Sequence, residues 1–175
     1  VTGGGVIRNS FFTGNRAPGC FGIYIGANGS AENCTLVANV MDQTKATFAT
    51  SHPVYIANLT GSAKNLLVVQ NVDCADTPVD AISGVEGYEG CCTACFTDAD
   101  GDPGFNDPLA GDYSLLPVSG CVDVGDESDW MAAAQDLAGN PRIFNDIPDI
   151  GAYEYTESSE PGVTIFRAVV GSGMF

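Results

Sequence analysis

Apolar and polar positions along this chain alternate in short runs, without the three-and-four spacing of an amphipathic helix. Phe21-Gly22-Ile23-Tyr24-Ile25 and Pro53-Val54-Tyr55-Ile56-Ala57 are rich in Ile, Val and aromatics and are bounded by Gly, Asn and Ser, which predicts short strands. Between and around them a nine-residue unit recurs. Ile7-Arg8-Asn9-Ser10-Phe11-Phe12-Thr13-Gly14-Asn15, Ala31-Glu32-Asn33-Cys34-Thr35-Leu36-Val37-Ala38-Asn39 and Ala63-Lys64-Asn65-Leu66-Leu67-Val68-Val69-Gln70-Asn71 align without gaps. Each carries Asn at its third and ninth positions, a charge at the second and an apolar residue at the sixth.

The copies start 24 and then 32 residues apart, so the second interval holds an insertion, expected as a loop around Asp42 to His52. A period near 24 suits one coil of short strands joined by tight turns. Asn tolerates the left-handed conformation such turns require, and its amide can bond the equivalent Asn of the next coil. The pattern therefore predicts an all-β parallel β-helix. The alternative is a β-sandwich in which Asn-flanked strands recur by coincidence; the Leu pattern of leucine-rich repeats is missing. Residues 1–96 read as coils, 97–155 as further coils and a loop-rich cap, and 156–175 as a linker followed by a terminal strand, Val163 to Val170. An Ala-rich stretch from Trp130 to Ala134 predicts one short helix.

Composition narrows the function classes. Six Lys+Arg stand against 22 Asp+Glu, a formal charge of −16, which argues against nucleic acid and against an anionic membrane surface. A 45% hydrophobic content is too high for a disordered chain, and no run of about 18 apolar residues exists to span a membrane as a helix. Seven Cys in a short acidic chain favour an oxidising compartment, hence secretion or the cell surface. The chain opens Val1-Thr2-Gly3-Gly4-Gly5 with no apolar leader, so a leader is expected to have been removed or the chain to be part of something longer.

The succession Asp100-Gly101-Asp102-Pro103-Gly104-Phe105-Asn106-Asp107-Pro108, Gly111-Asp112-Tyr113-Ser114-Leu115, Asp136-Leu137-Ala138-Gly139-Asn140-Pro141-Arg142-Ile143 and Pro148-Asp149-Ile150-Gly151-Ala152-Tyr153-Glu154-Tyr155 resembles the C-terminal part of secreted bacterial right-handed parallel β-helix proteins. In particular it is similar to those ending in a choice-of-anchor Q domain, which share the pectate-lyase-like fold. The resemblance covers about 90–155. It departs at Val118-Ser119-Gly120-Cys121, where the family usually has Gly-Ser-Pro before Cys or Ala. It implies a right-handed solenoid, but adhesins, surface proteins and polysaccharide-active enzymes all share that fold. An open solenoid end needs covering; Tyr113, Leu115, Leu116, Ile143, Ile150, Tyr153 and Tyr155 are the expected apolar face of a cap. Asp112, Asp123, Asp136 and Asp149 are expected to close turns or to pair with Arg142.

Asp98, Asp100 and Asp102 alternate on a Gly/Pro-rich loop, with Asn106 and Asp107 following, an oxygen-rich set that suits Ca²⁺. The plainer reading is an acidic turn sequence, since Pro103 and Leu109 stand where a helix-loop-helix calcium site has Gly and Glu. Cys91, Cys92 and Cys95 lack the second Cys pair or the His residues of a zinc site and read as disulfides or core residues, with Cys34, Cys74 and Cys121 as long-range partners. Asn28, Asn33 and Asn58 open glycosylation sequons, although Asn33 belongs to the repeated turn. No nucleophile elbow is present, and 22 carboxylates make any choice of a hydrolytic pair uninformative.

The leading expectation is a non-enzymatic extracellular surface or fibre protein, a rigid spacer or adhesin that binds a glycan or surface ligand. Self-association through the solenoid end or the terminal strand belongs to the same expectation. The alternatives are the C-terminal fragment of a polysaccharide lyase or glycosidase, and a carbohydrate-binding module using Tyr24, Tyr55, Tyr88 or Trp130.

Overall fold

The computed structural model describes residues 1–18, 22–42, 52–73, 75–79, 81–84, 86 and 91–157. The first coil runs through β1 (Val6–Arg8), β2 (Phe11–Thr13), β3 (Arg16–Ala17) and β4 (Ile23–Ile25). The second repeats the path as β5 (Ser30–Glu32), β6 (Thr35–Val37), β7 (Val40–Met41) and β8 (Val54–Ile56). The third follows as β9 (Ser62–Lys64), β10 (Leu67–Val69), β11 (Val72–Asp73) and β12 (Ile82–Gly84), and a fourth begins with β13 (Cys92–Thr93) and β14 (Phe96–Thr97). Like strands stack in parallel on like strands. The first sheet is β1-β5-β9-β13, the second β2-β6-β10-β14, the third β3-β7-β11 and the fourth β4-β8-β12. The chain is an all-β parallel solenoid. Its extra length lies where the third sheet passes to the fourth, between Met41 and Val54, although residues 43–51 of the expected loop fall outside the described residues.

The two Asn columns do different jobs. Asn9, Asn33 and Asn65 turn the chain from the first sheet to the second as single left-handed residues, with φ of 43°, 50° and 53°. Ala94 holds that conformation in the fourth coil (φ 46°). Asn enters this region at lower cost than most L-residues, which favours the recurring side chain. The other column is an internal ladder: Asn15 Nδ2 donates to Asn39 Oδ1, and Asn39 Nδ2 to Asn71 Oδ1, each at 2.9 Å. The neighbouring backbone N–H groups of Asn15 and Asn39 donate to the same oxygens at 3.0 Å. Asn39 and Asn71 are buried, so every amide atom must find a partner, and stacking in register supplies one.

Inside the coils, Ile7, Ala31, Ala63 and Cys92 stack on one another, as do Ile23 with Val54 and Ile25 with Ile56. Leu36, Leu66 and Val68 complete this core. The fourth sheet alternates strictly: Ile23 and Ile25 are buried while Tyr24 between them is 49% exposed. The second sheet does not alternate, since β6 and β10 are buried at every residue. Both of its faces are covered, as the unbroken apolar run from Leu66 to Val69 requires.

Residues 97–155 supply that outer cover. The expected cap over the end of the coils is instead a strap along their side. Phe105, Leu115, Cys121 and Ile150 pack with Val37, Leu67, Val69 and Phe96, and Tyr113 and Tyr155 join them. Tyr153 meets Phe11, whereas Leu116 and Ile143 stay half-buried. The outward apolar residues of the second sheet, Phe11, Val37, Leu67, Val69 and Phe96, run through all four coils and are the surface that the strap covers. Within the strap, β15 (Phe105–Asp107) and β16 (Asp112–Leu115) form an antiparallel hairpin, and the expected short helix is a 3₁₀ segment at Asp129–Ala133.

The strap is fastened at the coil corners. Asn9 Nδ2 donates to the Gln135 carbonyl, Asn33 Nδ2 to that of Asp149 and Asn65 Nδ2 to that of Asp126. The Gly151 N–H donates to the Asn65 carbonyl at 2.9 Å, and the Ala152 N–H to Thr35 Oγ1. Gly151 has φ of 102°, and a Cβ there would meet Thr35 Oγ1 at 2.8 Å, so both conformation and space demand glycine. Arg142, fully buried, binds Glu154 at 2.5 Å and donates to the carbonyls of Asp149, Gly151 and Tyr153. The Asp149 carboxylate accepts from the Asp123 and Tyr155 N–H groups, and Asp136 from those of Asn140 and Glu154. These aspartates close turns as expected, but the ion-pair partner of Arg142 is Glu154.

Candidate functional site

The outward face of the first sheet carries the second-position charges of the repeat, Arg8, Glu32 and Lys64, on successive rungs. The strap's 3₁₀ segment stands beside them. Trp130 Nε1 donates to Glu32 Oε2, and the Arg8 guanidinium sits 4.5 Å from the Trp130 ring centre, in cation–π contact. Arg8 also pairs with Glu32 at 3.4 Å. Glu32 is thereby held by two donors. Lys64 turns the other way, its ammonium donating to the Glu127 carbonyl and to Ser128 Oγ, each at 3.3 Å. Among the described residues no carboxylate lies within ion-pair distance of Lys64.

Between these groups lies a groove of about 380 Å³ lined by Glu32, Leu59, Ser62, Lys64, Thr93 and Ser128, with Cys91 at its edge. Its chemistry is that of hydroxyls, one ammonium and one engaged carboxylate. It can hold a polar, hydroxyl-rich ligand in fixed orientation. Glycoside hydrolysis wants two carboxylates across the bond, and Glu32 is the one carboxylate among the described residues lining this groove.

The residues expected to bind calcium each have a hydrogen-bond partner within the protein. Asp98 Oδ1 accepts from the Gln70 N–H, Asp100 Oδ2 from the Thr97 N–H and hydroxyl, Asp102 Oδ1 from the Gly104 N–H and Asp107 Oδ1 from the Ala110 N–H. Asn106 donates to Asp112, whose carboxyl is held below its ordinary range by the Ser114 hydroxyl first and by Asn106 next. Asp98 ties its loop to the preceding coil while Asp100, Asp102 and Asp107 serve their own turns, and among the described residues no group of three or more His, Cys, Asp and Glu is gathered as a metal site would be.

The cysteines divide by place. Cys92 and Cys95 are at disulfide distance, with Cα atoms 6.6 Å apart. Cys34 and Cys121, considered above as long-range partners, are free and buried. Burial pushes the Cys34 thiol up to about 11 and that of Cys121 up to about 12, so both are packing residues rather than nucleophiles. Cys74 lies outside the described residues. Tyr24 and Tyr55 stack on the outer face of the fourth sheet, ring centres 5.8 Å apart, and Tyr88 lies outside the described residues. Asn33 is buried with its amide bonded to the strap, so that sequon is an internal turn.

Sequence reasoning singled out the charge at the second position of each repeat and Trp130 separately. It did not join them, because their meeting depends on a contact between residues 98 positions apart. Compared with protein-family models, curated proteins and solved structures, the chain matches none.

Proposed function

We propose that this chain is a rigid extracellular scaffold of adhesin type, which holds a glycan or surface ligand in the groove over its first sheet. The observation that carries the reading is Lys64. On a chain of charge −16 it is one of six basic residues, yet its ammonium is held by a carbonyl and a hydroxyl beside an open groove rather than by a carboxylate. Hydroxyls from Ser62, Thr93 and Ser128 surround the same space, the kind of polar lining that fixes a sugar. The right-handed coil sense and the secreted bacterial setting implied by the family resemblance belong to this reading. The strap stiffens the scaffold by bonding the corner Asn of three successive coils.

A glycan array probed with the native chain and with Ser62→Trp tests it. Ser62 is exposed and lines the groove, so an indole there occupies groove space rather than the core. Capture of a subset of glycans by the native chain, lost at least tenfold in Ser62→Trp, is the expected result. Release of shortened glycan from the array would favour the lyase or glycosidase alternative, and equal capture by both chains would remove the groove from the argument.

A further inference from the structure

The fourth coil turns its first corner without the asparagine of the other three. Asn9, Asn33 and Asn65 hold that position in the earlier coils, and each amide donates to a strap carbonyl. Ala94 takes their place, left-handed as they are at φ 46°, with no polar side chain to support the turn. The other left-handed Ala among the described residues, Ala38, is followed by Asn39, whose amide is bonded to the rungs on both sides. Ala94 is bracketed instead by Cys92 and Cys95, which lie at disulfide distance across the corner. Cys92 stacks on Ala63, and Cys95 stands where the earlier coils have Ser10, Cys34 and Leu66. Both stay half-buried, on the wall of a cavity of about 870 Å³ that Val79, Thr97 and Ala99 also line. A thiol compound in solution can reach them there, as it cannot reach the buried Cys34 and Cys121.

We propose that Cys92 and Cys95 form a reversible disulfide that clasps this corner, and that a dithiol compound opens it by exchange. The two cysteines are 3 positions apart, so the bond closes a short loop and removes little freedom from the unfolded chain. Its effect is local. It ties the residues on either side of Ala94 and holds the left-handed turn that asparagine supports elsewhere. In the exchange, one thiolate of the dithiol attacks one sulfur of the pair, and the other cysteine leaves with the bonding electrons and takes up a proton. The second thiol of the reagent loses its proton and attacks the mixed disulfide, releasing the remaining cysteine, which is protonated in turn. The protein gains two thiols and the dithiol becomes a disulfide. Two backbone bonds join this corner to the third coil: the Asn65 N–H donates to the Thr93 carbonyl at 3.1 Å and the Phe96 N–H to the Leu66 carbonyl at 2.8 Å. With the clasp open, Ala94 leaves the left-handed conformation and both bonds loosen.

The test uses the full chain purified in air. Amide hydrogen exchange is followed residue by residue before and after dithiothreitol in native buffer, while alkylation and mass mapping score the Cys92–Cys95 bond. The proposal expects the bond in the untreated chain and its loss on treatment. Exchange at Asn65 and Phe96 should then quicken at least tenfold. Asn33 and Leu67, whose N–H groups donate to the Lys64 and Cys34 carbonyls, should stay unchanged, which separates opening of the clasp from loss of the fold. Cys95→Ser copies the Ser10 of the first coil and should show the fast exchange untreated, with no further response to dithiothreitol. Ala94→Asn should keep slow exchange after treatment, because asparagine supports the turn without the bond. A pair that alkylates untreated, or that resists dithiothreitol in the folded chain, would overturn the proposal. So would treatment that leaves Asn65 and Phe96 slow, or that quickens Asn33 and Leu67 equally. An Ala94→Asn chain that responds as the native one does would also overturn it, since the bond would then not be what holds the turn.

Discussion

The coils and the strap are held together by different physics. In the coils, backbone ladders and similar side chains repeat from rung to rung, so one kind of stabilising contact is made several times over: Asn on Asn, Ile on Val, Tyr on Tyr. In the strap, regular pairing among the described residues is confined to the β15–β16 hairpin and one isolated bridge, Gln135 with Pro141. Order there comes from side chains that bond backbone groups, with Arg142, Asp136, Asp149 and Glu154 as the hubs. A repeat shares the cost of a lost contact among its neighbours. A hub does not, and the strap should therefore be the half that a single substitution breaks.

The largest effect is expected at Arg142. Arg142→Met leaves the Glu154 carboxylate buried without its cation and strips donors from three carbonyls. Breaking a buried pair by removing one partner costs about 3–5 kcal/mol. Urea unfolding followed by Trp130 fluorescence should show the strap leaving first, while the coil signal in far-ultraviolet circular dichroism persists to higher denaturant. A single coincident transition shifted by less than about 1 kcal/mol would mean that strap and coils are not separable in the way proposed.

The counterpart in the coils is Asn39→Ala. It removes donors to the Phe12 and Val37 carbonyls and to Asn71, and an acceptor for Asn15, all at a buried position. With orphaned buried groups on both sides, about 2–3 kcal/mol is expected. That loss should fall on the coil transition and leave the strap's order of release unchanged.

These two sites also mark how far the sequence could be read. The coils were legible because a period is a local signal repeated: Asn at fixed offsets located the turns of three coils, and the split between turn and ladder roles follows from which Asn carries a positive φ. The insertion between the third and fourth sheets was legible for the same reason. The strap was legible as a turn-rich segment but not in its placement. Nothing local to Gly151 says that its N–H meets the Asn65 carbonyl, 86 positions earlier, and nothing local to Trp130 says that its indole meets Glu32. A terminal cover seemed the natural need of an open solenoid. The unbroken apolar run from Leu66 to Val69, which contains β10, was the available sign that the covered surface was the side.

A pH series sharpens the comparison at smaller cost to the fold. Burial pushes the Glu154 carboxyl up to about 7, against the opposing pull of Arg142 and of the Asp149 and Phe144 N–H groups; burial raises Asp149 too. A carboxyl raised in the folded state takes up protons that the unfolded chain has already released. Its contribution to stability is therefore fully present below the ordinary carboxyl value of 4.5 and is lost as pH rises towards 7, with a limiting slope of about 1.4 kcal/mol per pH unit for one proton. Strap release, read by Trp130 fluorescence at pH 4.5, 5.5 and 6.5, should become easier along that series. In Glu154→Gln the slope should flatten. A native strap that holds more tightly as pH rises over this window would place the Glu154 pKa below its ordinary value and make the pair with Arg142 stronger than its desolvation.

The smallest effect belongs to Tyr24, where the coil logic of shared contacts should be most visible. Its ring is 49% exposed and stacks on Tyr55 at 5.8 Å with planes 31° apart, the next rung of the same column. An aromatic pair of this kind contributes about 0.5–1.5 kcal/mol, and half of this ring already faces water. Tyr24→Ala should then cost about 0.5–1 kcal/mol, seen in the coil transition alone. Tyr24→Phe should cost less still, because the contact is between rings. The double variant Tyr24→Ala with Tyr55→Ala decides whether the column acts as a unit. A total smaller than the sum of the single losses means the two rings stabilise each other, as stacking requires. A total equal to that sum means each ring stabilises its own strand independently, and the repetition of Tyr across rungs would then have no energetic consequence.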